Sequence, residues 1–302
     1  MKPASLVADL AFTQCQYGDH HLQRLGVWLP RTPGEVQGDG RHQPASSAYW
    51  IVFIHGGSWR DPRNTYNDFK PSIEAVLKSD RIPKSSIRGF ASIDYRLSPH
   101  PSFPQDPAQT PVTDLRVARH PTHILDVRAA LAYLDENYGL GQDYILLGHS
   151  AGATLTYQLL MGEAVLGGHP TASAPLPRVA VGISGIYDLP GLVTRFGDVY
   201  DGIYRKFVTG AFGEDEQLWR TASPVNYPGK FSWPGGKVAM VAWSPEDSLI
   251  DEPEIDCIAD KMRTDATPMA VIKDLTGDHE VVWEQGDQVA RLVAEALAHM
   301  EK

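Results

Sequence analysis

Short apolar runs rich in β-branched and aromatic residues recur along the chain. Each run is bounded by Gly, Pro or polar residues, which is typical of buried strands. Strands are predicted over 49–54, 89–95, 144–147, 179–184, 238–243 and 270–275. Helical spacing of apolar residues predicts helices over 72–77, 123–138, 153–161 and 284–300. This alternation predicts an α/β fold, with a mostly parallel central sheet covered by helices on both faces.

The residues between Arg31 and Ser47 are rich in Gly, Pro, Gln and Ser and show no apolar periodicity. They predict a surface loop between two early strands rather than a linker between domains. An α/β sheet in a chain of 302 residues commonly forms one unit. We therefore expect residues 1–302 to form a single catalytic domain. Its reactive residues are expected where parallel strands end, at their carboxyl edge.

The amino-acid composition limits which classes of binding partner and which cellular compartment are expected for this protein. The formal charge of -10 opposes binding to nucleic acid or to an anionic membrane. Only Cys15 and Cys257 are present, which suits a reducing compartment, and no apolar stretch has the length of a signal sequence or a membrane span. We expect a cytoplasmic protein with a small-molecule substrate and no membrane or nucleic-acid partner. The sequence is also compatible with a homodimer.

The strongest chemical signal follows the strand predicted at 144–147. This strand runs into Gly-His-Ser-Ala-Gly, from Gly148 to Gly152, and helical spacing resumes immediately. A strand, a sharp turn and a helix around a serine flanked by spaced glycines form the nucleophile elbow of the α/β-hydrolase fold. Ser150 is therefore the predicted nucleophile. The two glycines are predicted to avoid clashes with neighbouring backbone.

Two nearby residues allow other interpretations. His149 lies within the elbow, but its side chain must leave the turn in a different direction from that of the serine. A packing or hydrogen-bonding role is therefore favoured over catalysis. Ser184 lies in a similar Gly-Ile-Ser-Gly-Ile segment, which lacks the second spaced glycine and a following helix. Ser184 is predicted to be a turn or pocket residue.

A second motif, His-Gly-Gly-Ser-Trp at residues 55–59, directly follows a predicted strand. Two glycines allow backbone N–H groups to face a ligand without obstruction by side chains. The motif resembles the oxyanion loop of esterases and lipases. The N–H groups of Gly56 or Gly57, together with that of Ala151, are predicted to bind the oxyanion. His55 is predicted to brace the loop.

In the α/β-hydrolase fold the acid and the base follow the nucleophile along the chain. The histidines after the elbow are His169, His279 and His299. His299 lies at the end of the terminal helix and His169 in a loop rich in Gly, Pro and Ala. His279 follows the last predicted strand, in a loop from which a base can reach the serine. His279 is the predicted base.

The predicted acid is Asp247, which follows the strand before the last one. Glu246 and Asp251 remain alternatives, while Asp278 is expected to point away from the histidine beside it. A carboxylate here stabilises the imidazolium that forms when the histidine takes the serine proton. This chemistry is acyl transfer to water. No metal spacing, phosphate loop or dinucleotide fingerprint competes with it, so we expect neither a metal nor another cofactor.

Beyond the elbow, several segments resemble the kynurenine formamidases (arylformamidases), particularly the fungal type. They comprise residues 55–59, 94–99 and 120–127 and the loops of Asp247 and His279, and they span about residues 50–285, most of the chain. The segment at 94–99 also resembles the hormone-sensitive-lipase group, and the elbow and oxyanion loop occur in many esterases. The His-Pro-x-His-Ile-x-Asp-Val segment and the tryptophan that closes the oxyanion loop favour the formamidases.

The resemblance implies hydrolysis of N-formyl-L-kynurenine to L-kynurenine and formate, without a cofactor. This reaction belongs to tryptophan degradation by the kynurenine pathway, a route toward NAD. We hypothesise that Trp59 and Tyr187 contact the aromatic leaving group. A general carboxylesterase would share every catalytic residue named above. A catalytically inactive hydrolase fold that serves as a binding module is the alternative from another class, although such proteins usually lose a member of the triad.

Overall fold

The computed structural model describes residues 5–31, 48–170, 173–197 and 199–300, and within these ranges eight strands form one sheet. The strands are β1 Ala11–Gln16, β2 Arg24–Leu29, β3 Tyr49–Ile54, β4 Ile87–Ile93, β5 Tyr144–His149, β6 Val179–Ile183, β7 Val238–Ala242 and β8 Met269–Ile272. Their order is β1-β2-β4-β3-β5-β6-β7-β8. Only β2 runs in the opposite direction to the other strands, so the predicted mostly parallel sheet is confirmed. The loop predicted between Arg31 and Ser47 lies, after Arg31, outside the described residues.

Helices surround this sheet within the same ranges. They are α1 Lys70–Lys78, α2 Thr122–Tyr138, α3 Ala151–Leu160, α4 Leu189–Phe196, α5 Ile203–Phe212, α6 Glu216–Ala222, α7 Glu252–Thr264, α8 Val281–Glu284 and α9 Asp287–Met300. The prediction omitted α4 to α7. They are 8, 10, 7 and 13 residues long, so length alone does not separate them from α1 and α3, which have 9 and 10 residues and were predicted. In the described part of the chain, no helix has the length and apolar composition needed to cross a membrane.

The central strands bury both of their faces. Along β3, alternate side chains enter different apolar clusters: Trp50, Val52 and Ile54 on one side, Ile51 and Phe53 on the other. The first cluster includes side chains of α2 and α3, and the second includes side chains of α1 and α9. Because both faces are covered, the inner strands consist of nearly continuous apolar residues. Helices on both faces of the sheet were predicted, and the structure confirms them.

The parallel strands carry the candidate site at one edge of the sheet. The oxyanion loop follows β3, and the elbow joins β5 to α3. The acid loop follows β7, and the base loop follows β8. Strands β3 and β5 are neighbours, and β6 separates β5 from β7. Segments that are far apart in sequence therefore converge where the strands end.

A buried ion pair holds the loop after β4 against α2. The Asp126 side chain, 1% exposed, accepts hydrogen bonds from Arg96 Nε and Nη2, and also from the Arg96 backbone N–H at 2.9 Å. Gln23 Nε2 adds another hydrogen bond at 2.9 Å. Removing the charge of one partner in such a pair leaves the other partially uncompensated.

We expect Asp126→Asn to lower the free energy of unfolding by about 3 kcal/mol, because a buried amide cannot accept all the hydrogen bonds that the carboxylate receives from Arg96 and Gln23. Equilibrium unfolding in urea measures this change. Asp143→Asn is the matched control: its partner is also an arginine, Arg178, but the Asp143 side chain is 57% exposed. The control should cost less than about 1 kcal/mol. Equal losses in the two variants would contradict the structural role of Asp126.

Candidate active site

The elbow forces Ser150 into an uncommon backbone conformation. Strand β5 ends at His149 and α3 begins at Ala151, so the serine alone makes the turn, with φ 52° and ψ -119°. A positive φ is unfavourable for a residue with a side chain and persists only where the surroundings enforce it. Here the Ser150 N–H donates a hydrogen bond of 2.9 Å to the carbonyl of Ile183, at the end of β6. The turn presents the serine side chain at the edge of the sheet.

The glycines of the elbow are required by backbone packing. A Cβ on Gly148 would lie 2.2 Å from the carbonyl oxygen of Gly152. A Cβ on Gly152 would lie 2.2 Å from the carbonyl oxygen of Ile54, where β3 ends. Both distances are far below van der Waals contact, and both obstacles are backbone atoms that cannot rotate away. The spacing of the two glycines thus reflects how closely the elbow approaches the neighbouring strand.

Asp247 and His279 form a direct pair. Nδ1 of His279 lies 2.9 Å from Oδ2 and 3.1 Å from Oδ1 of Asp247, and both side chains are buried. Burial raises the pKa of Asp247, but the hydrogen bond and charge of His279 and the Ile250 N–H outweigh it and hold this pKa below its usual value. The carboxylate is therefore ionised at neutral pH and accepts the Nδ1 proton. This tautomer leaves Nε2 of His279 as the basic nitrogen.

The other nearby carboxylates are engaged elsewhere. Glu246 is exposed, and Asp251 pairs with Arg195 at 2.7 Å. Asp278 accepts backbone N–H groups from Ser248 and from its neighbour His279, at 2.8 and 2.7 Å. It braces the acid loop against the base loop rather than bonding the imidazole. Of the carboxylates weighed from the sequence, Asp247 is the one that contacts the histidine ring.

His149 links the elbow to the base loop. Its Nε2–H donates to the backbone carbonyl of His279 at 3.0 Å, and the two rings lie 4.5 Å apart. Burial, with repulsion from His279 as a smaller cause, lowers the pKa of His149 to about 3. His149 is neutral at ordinary pH. Its contacts are those of a residue that positions the base loop next to Ser150.

The loop after β3 is held by an aromatic stack. The rings of His55 and Tyr95 lie 4.6 Å apart and nearly parallel, and the Tyr95 hydroxyl contacts the carbonyls of His55 and Gly56 at 3.2 and 3.1 Å. In a trans peptide the C=O and the following N–H point in opposite directions. The N–H groups of Gly56 and Gly57 therefore point away from Tyr95. A Cβ on Gly56 would lie 3.1 Å from Cβ of Ser150, so this loop borders the serine.

The two aromatic residues hypothesised to contact substrate are fully buried. Trp59 packs edge-on against Phe212 at 5.0 Å, and Tyr187 packs edge-on against Tyr157 at 5.2 Å. Neither exposes surface to a ligand in this conformation. The sequence did not distinguish these cases, because a bulky residue after a strand can face either the site or the core. The structure gives both residues packing roles beneath the site.

The His-Pro-x-His segment also has an architectural role. His123 Nε2 lies 3.1 Å from Oγ of Ser98, which itself donates to the Ala118 carbonyl, and His120 stacks on Phe212 of α5 at 5.2 Å. Burial lowers the pKa of His123 to about 3 and that of His120 to about 4. Both rings are neutral at ordinary pH. They join α2 to α5 and to the loop after β4.

Sequence reasoning missed the role of Tyr95 and left Ser184 as a turn or pocket residue. Tyr95 orients the oxyanion loop, and its place in the Asp-Tyr-Arg segment after β4 was the available signal. Ser184, directly after β6, is fully buried with φ 47°. Over the described residues, no cluster of three or more His, Cys, Asp or Glu side chains is arranged to hold a metal ion.

Sequence comparison identifies similar fungal proteins. The chain is 33% identical over 287 residues to a kynurenine formamidase-like hydrolase of Fusarium equiseti, covering 92% of this chain and 90% of that one. It is 34% identical to a kynurenine formamidase of Aspergillus versicolor, covering 80% and 86% of the two chains. The kynurenine formamidase of Meyerozyma guilliermondii is 32% identical, with 93% and 92% covered. A scan against models of protein families finds no match.

Solved esterase structures share the fold. Esterase B of Lactobacillus rhamnosis superposes with a TM-score of 0.69, covering 98% of this chain and 88% of that chain, at 14% sequence identity. An esterase of Pyrobaculum calidifontis gives a TM-score of 0.64 at 16% identity, with 96% and 86% covered. At such low identity the likeness concerns the fold alone. It confirms the predicted α/β-hydrolase fold.

The buried His123 predicts a pH dependence of stability. Its pKa of about 3 in the folded chain lies below the ordinary value of 6.5, so only the unfolded chain takes up this proton as the pH falls below 6.5. The contribution of the neutral, buried His123 to the free energy of unfolding is therefore complete above pH 6.5 and is lost as the pH falls toward 3. From pH 8 to pH 5, the wild type should lose about 2 kcal/mol more unfolding free energy than His123→Gln.

Urea unfolding at the two pH values measures this difference. His169→Gln, which replaces an exposed histidine, is the matched control and should follow the wild type. Equal losses in the wild type and His123→Gln would show that His123 takes up its proton as readily in the folded chain as in the unfolded chain, which contradicts the lowered pKa.

Proposed function

This chain belongs to the kynurenine formamidase family, and from that premise we propose that it hydrolyses N-formyl-L-kynurenine to L-kynurenine and formate with Ser150, His279 and Asp247 as its catalytic triad. The observation that carries the triad is the buried Asp247–His279 pair, 2.9 Å apart, at the sheet edge that presents Ser150 in its strained turn. An oriented base and a serine presented at the same sheet edge are what acyl transfer requires. The reaction places the enzyme in tryptophan degradation.

In the first half-reaction, Oγ of Ser150 attacks the formyl carbon while Nε2 of His279 accepts the hydroxyl proton. Asp247 holds the imidazole in the required tautomer and stabilises the imidazolium. The tetrahedral intermediate collapses when His279 returns the proton to the aniline nitrogen, which leaves as L-kynurenine. In the second half-reaction, His279 deprotonates a water molecule that attacks the formyl ester of the serine. Formate leaves, and the serine hydroxyl is restored.

The oxyanion of each intermediate needs donors that are fixed in advance. We assign this role to the N–H groups of Gly56 or Gly57 and of Ala151. Ala151 opens α3, where the first N–H groups of a helix lack partners within the helix and the dipole favours negative charge. The stack of His55 on Tyr95 supports the assignment, because it fixes the peptide planes of the loop before substrate arrives.

The same machinery can hydrolyse esters, so substrate preference separates a formamidase from a general carboxylesterase. We expect kcat/KM for N-formyl-L-kynurenine to exceed that for p-nitrophenyl acetate. A specificity constant that favours the ester would reverse the assignment. Ser150→Ala should abolish both activities and also labelling by a fluorophosphonate probe. An unlabelled wild-type chain would instead indicate a binding module built on a hydrolase fold.

The acid is tested by exchanging one carboxylate at a time. Asp247→Asn should lower kcat by about 10³ to 10⁴-fold, because an amide can no longer hold His279 in the productive tautomer. Glu246→Gln is the matched control, since it changes the charge at the adjacent, exposed position. The control should retain kcat within about threefold. A loss in Glu246→Gln comparable to that in Asp247→Asn would contradict the assignment of the acid role to Asp247. Measuring kcat for N-formyl-L-kynurenine in both variants decides the point.

We also propose a cytoplasmic location. Cys15 and Cys257 are both free thiols, which is the ordinary state in a reducing compartment. The net charge of -10 supports the proposed absence of nucleic-acid or anionic-membrane partners, because such surfaces repel an acidic protein.

A further inference from the structure

A cavity of about 540 Å³ lies beside the oxyanion loop, and we call it the Arg60 cavity. Its cationic lining residues are Arg60, Arg116 and Lys206. The remaining lining is largely apolar and includes Phe103, Leu115 and four prolines. The volume is typical of sites that bind small molecules. No assigned role in catalysis accounts for this cavity.

The Arg60 guanidinium lacks an anionic partner. The residue is only 8% exposed, and its cation lies over the ring of Phe207, with 5.8 Å between the guanidinium carbon and the ring centroid. The adjacent carboxylate, Asp61, is bound to Arg63 at 2.6 Å. Among the described residues, no carboxylate lies within ion-pair distance of Arg60. A buried charge without a partner is costly unless a ligand supplies the opposite charge.

The other cations of the Arg60 cavity reinforce this charge. Arg116 donates from Nη2 to the carbonyl of Phe103 at 2.7 Å, while its buried Nε has no partner in the described part of the chain. Lys206 is exposed on α5 at the rim. No Asp or Glu is among the residues that line the cavity. In a chain with a net charge of -10, such a cationic enclosure is a local exception that favours an anion.

The Arg60 cavity adjoins the candidate active site through the backbone. The Arg60 N–H donates to the carbonyl of Gly57 at 2.9 Å, so the oxyanion loop leads directly into the turn that holds the guanidinium. Trp59 and Arg60 both pack on Phe207 of α5, at 6.1 and 5.8 Å. The cavity and the oxyanion loop are therefore neighbours along the chain, and the proposal below is that one substrate reaches both.

We propose that the Arg60 cavity binds the α-carboxylate of the substrate, with Arg60 as the principal partner and Arg116 and Lys206 adding positive potential. This inference rests on the proposed function, because the formamide substrate is an aromatic amino acid with a free carboxylate. The planar fork of an arginine suits a carboxylate, and the apolar lining suits the chain between carboxylate and ring. The lining offers no counter-charge to the α-ammonium on the adjacent carbon, so the proposal requires the carboxylate to enter first and the ammonium to lie at the mouth of the cavity, in water. The cavity thus distinguishes an amino-acid formamide from a neutral ester.

Binding to the Ser150→Ala chain tests this site without turnover. We expect Arg60→Gln in that background to raise the Kd of N-formyl-L-kynurenine about tenfold or more, because a charged hydrogen bond to the carboxylate is lost. The α-carboxamide analogue should bind the Arg60-containing chain about tenfold more weakly than the acid and be unaffected by Arg60→Gln. Compared with Arg60→Gln, Arg60→Lys should restore part of the affinity for the acid and none of the affinity for the carboxamide. Isothermal titration calorimetry measures each Kd.

Arg220→Gln is the matched control, because it removes an exposed arginine that does not line the Arg60 cavity. It should leave both Kd values unchanged. Equal weakening of acid and carboxamide by Arg60→Gln, or no weakening of either, overturns the carboxylate site.

Turnover of N-formyl-L-kynurenine by the wild-type chain tests the proposed function separately. Turnover without carboxylate selectivity in binding overturns the site alone. Selective binding without turnover overturns the formamidase assignment and supports the site.

Discussion

The close approach of backbone at the turn between β5 and α3 is the constraint on which the site depends. Gly152 touches the end of β3, and the Ser150 N–H is bonded to the end of β6. These contacts leave no room for side chains at the flanking positions and hold the serine at a positive φ. The oxyanion loop can border Ser150 only because the elbow packs directly against the strand that carries this loop. The positive φ of Ser150 and the closeness of the loop after β3 are thus two results of one packing arrangement.

Histidines surround this turn, but their surroundings separate their roles. His55, His123 and His149 are buried, and burial lowers the pKa of each, so they serve as neutral hydrogen-bonding or stacking groups. His279 alone among them bonds a buried carboxylate through Nδ1. That carboxylate is ionised because hydrogen bonds outweigh the cost of its burial. Under the proposed function, one imidazole is thereby oriented for proton transfer and the others serve as scaffold.

Two of the segments that carried the resemblance to formamidases, 94–99 and 120–127, act as this scaffold. Arg96 and Asp126 pair across the loop after β4 and α2, and His120 and His123 attach the same helix to α5 and to Ser98. The α5 helix in turn supports Trp59 and contributes Lys206 to the Arg60 cavity. If the Arg60 cavity binds substrate as proposed, these motifs support substrate choice indirectly, because they fix the elements that form its cationic wall.

The sequence by itself predicted the strands from β3 onward along the chain, the strand-turn-helix elbow and the glycine-containing loop after β3, whereas the order of the strands in the sheet came from the structure. Each of these is a local backbone requirement, such as spaced glycines or a buried apolar run, that neighbouring residues encode directly. Tertiary structure decided which carboxylate meets His279, that Trp59 and Tyr187 face the core, and that Arg60, Arg116 and Lys206 enclose one cavity. These outcomes depend on contacts between segments far apart in the chain. Residue type and spacing within one segment do not specify such contacts, because the direction of a side chain is set by whatever packs against it.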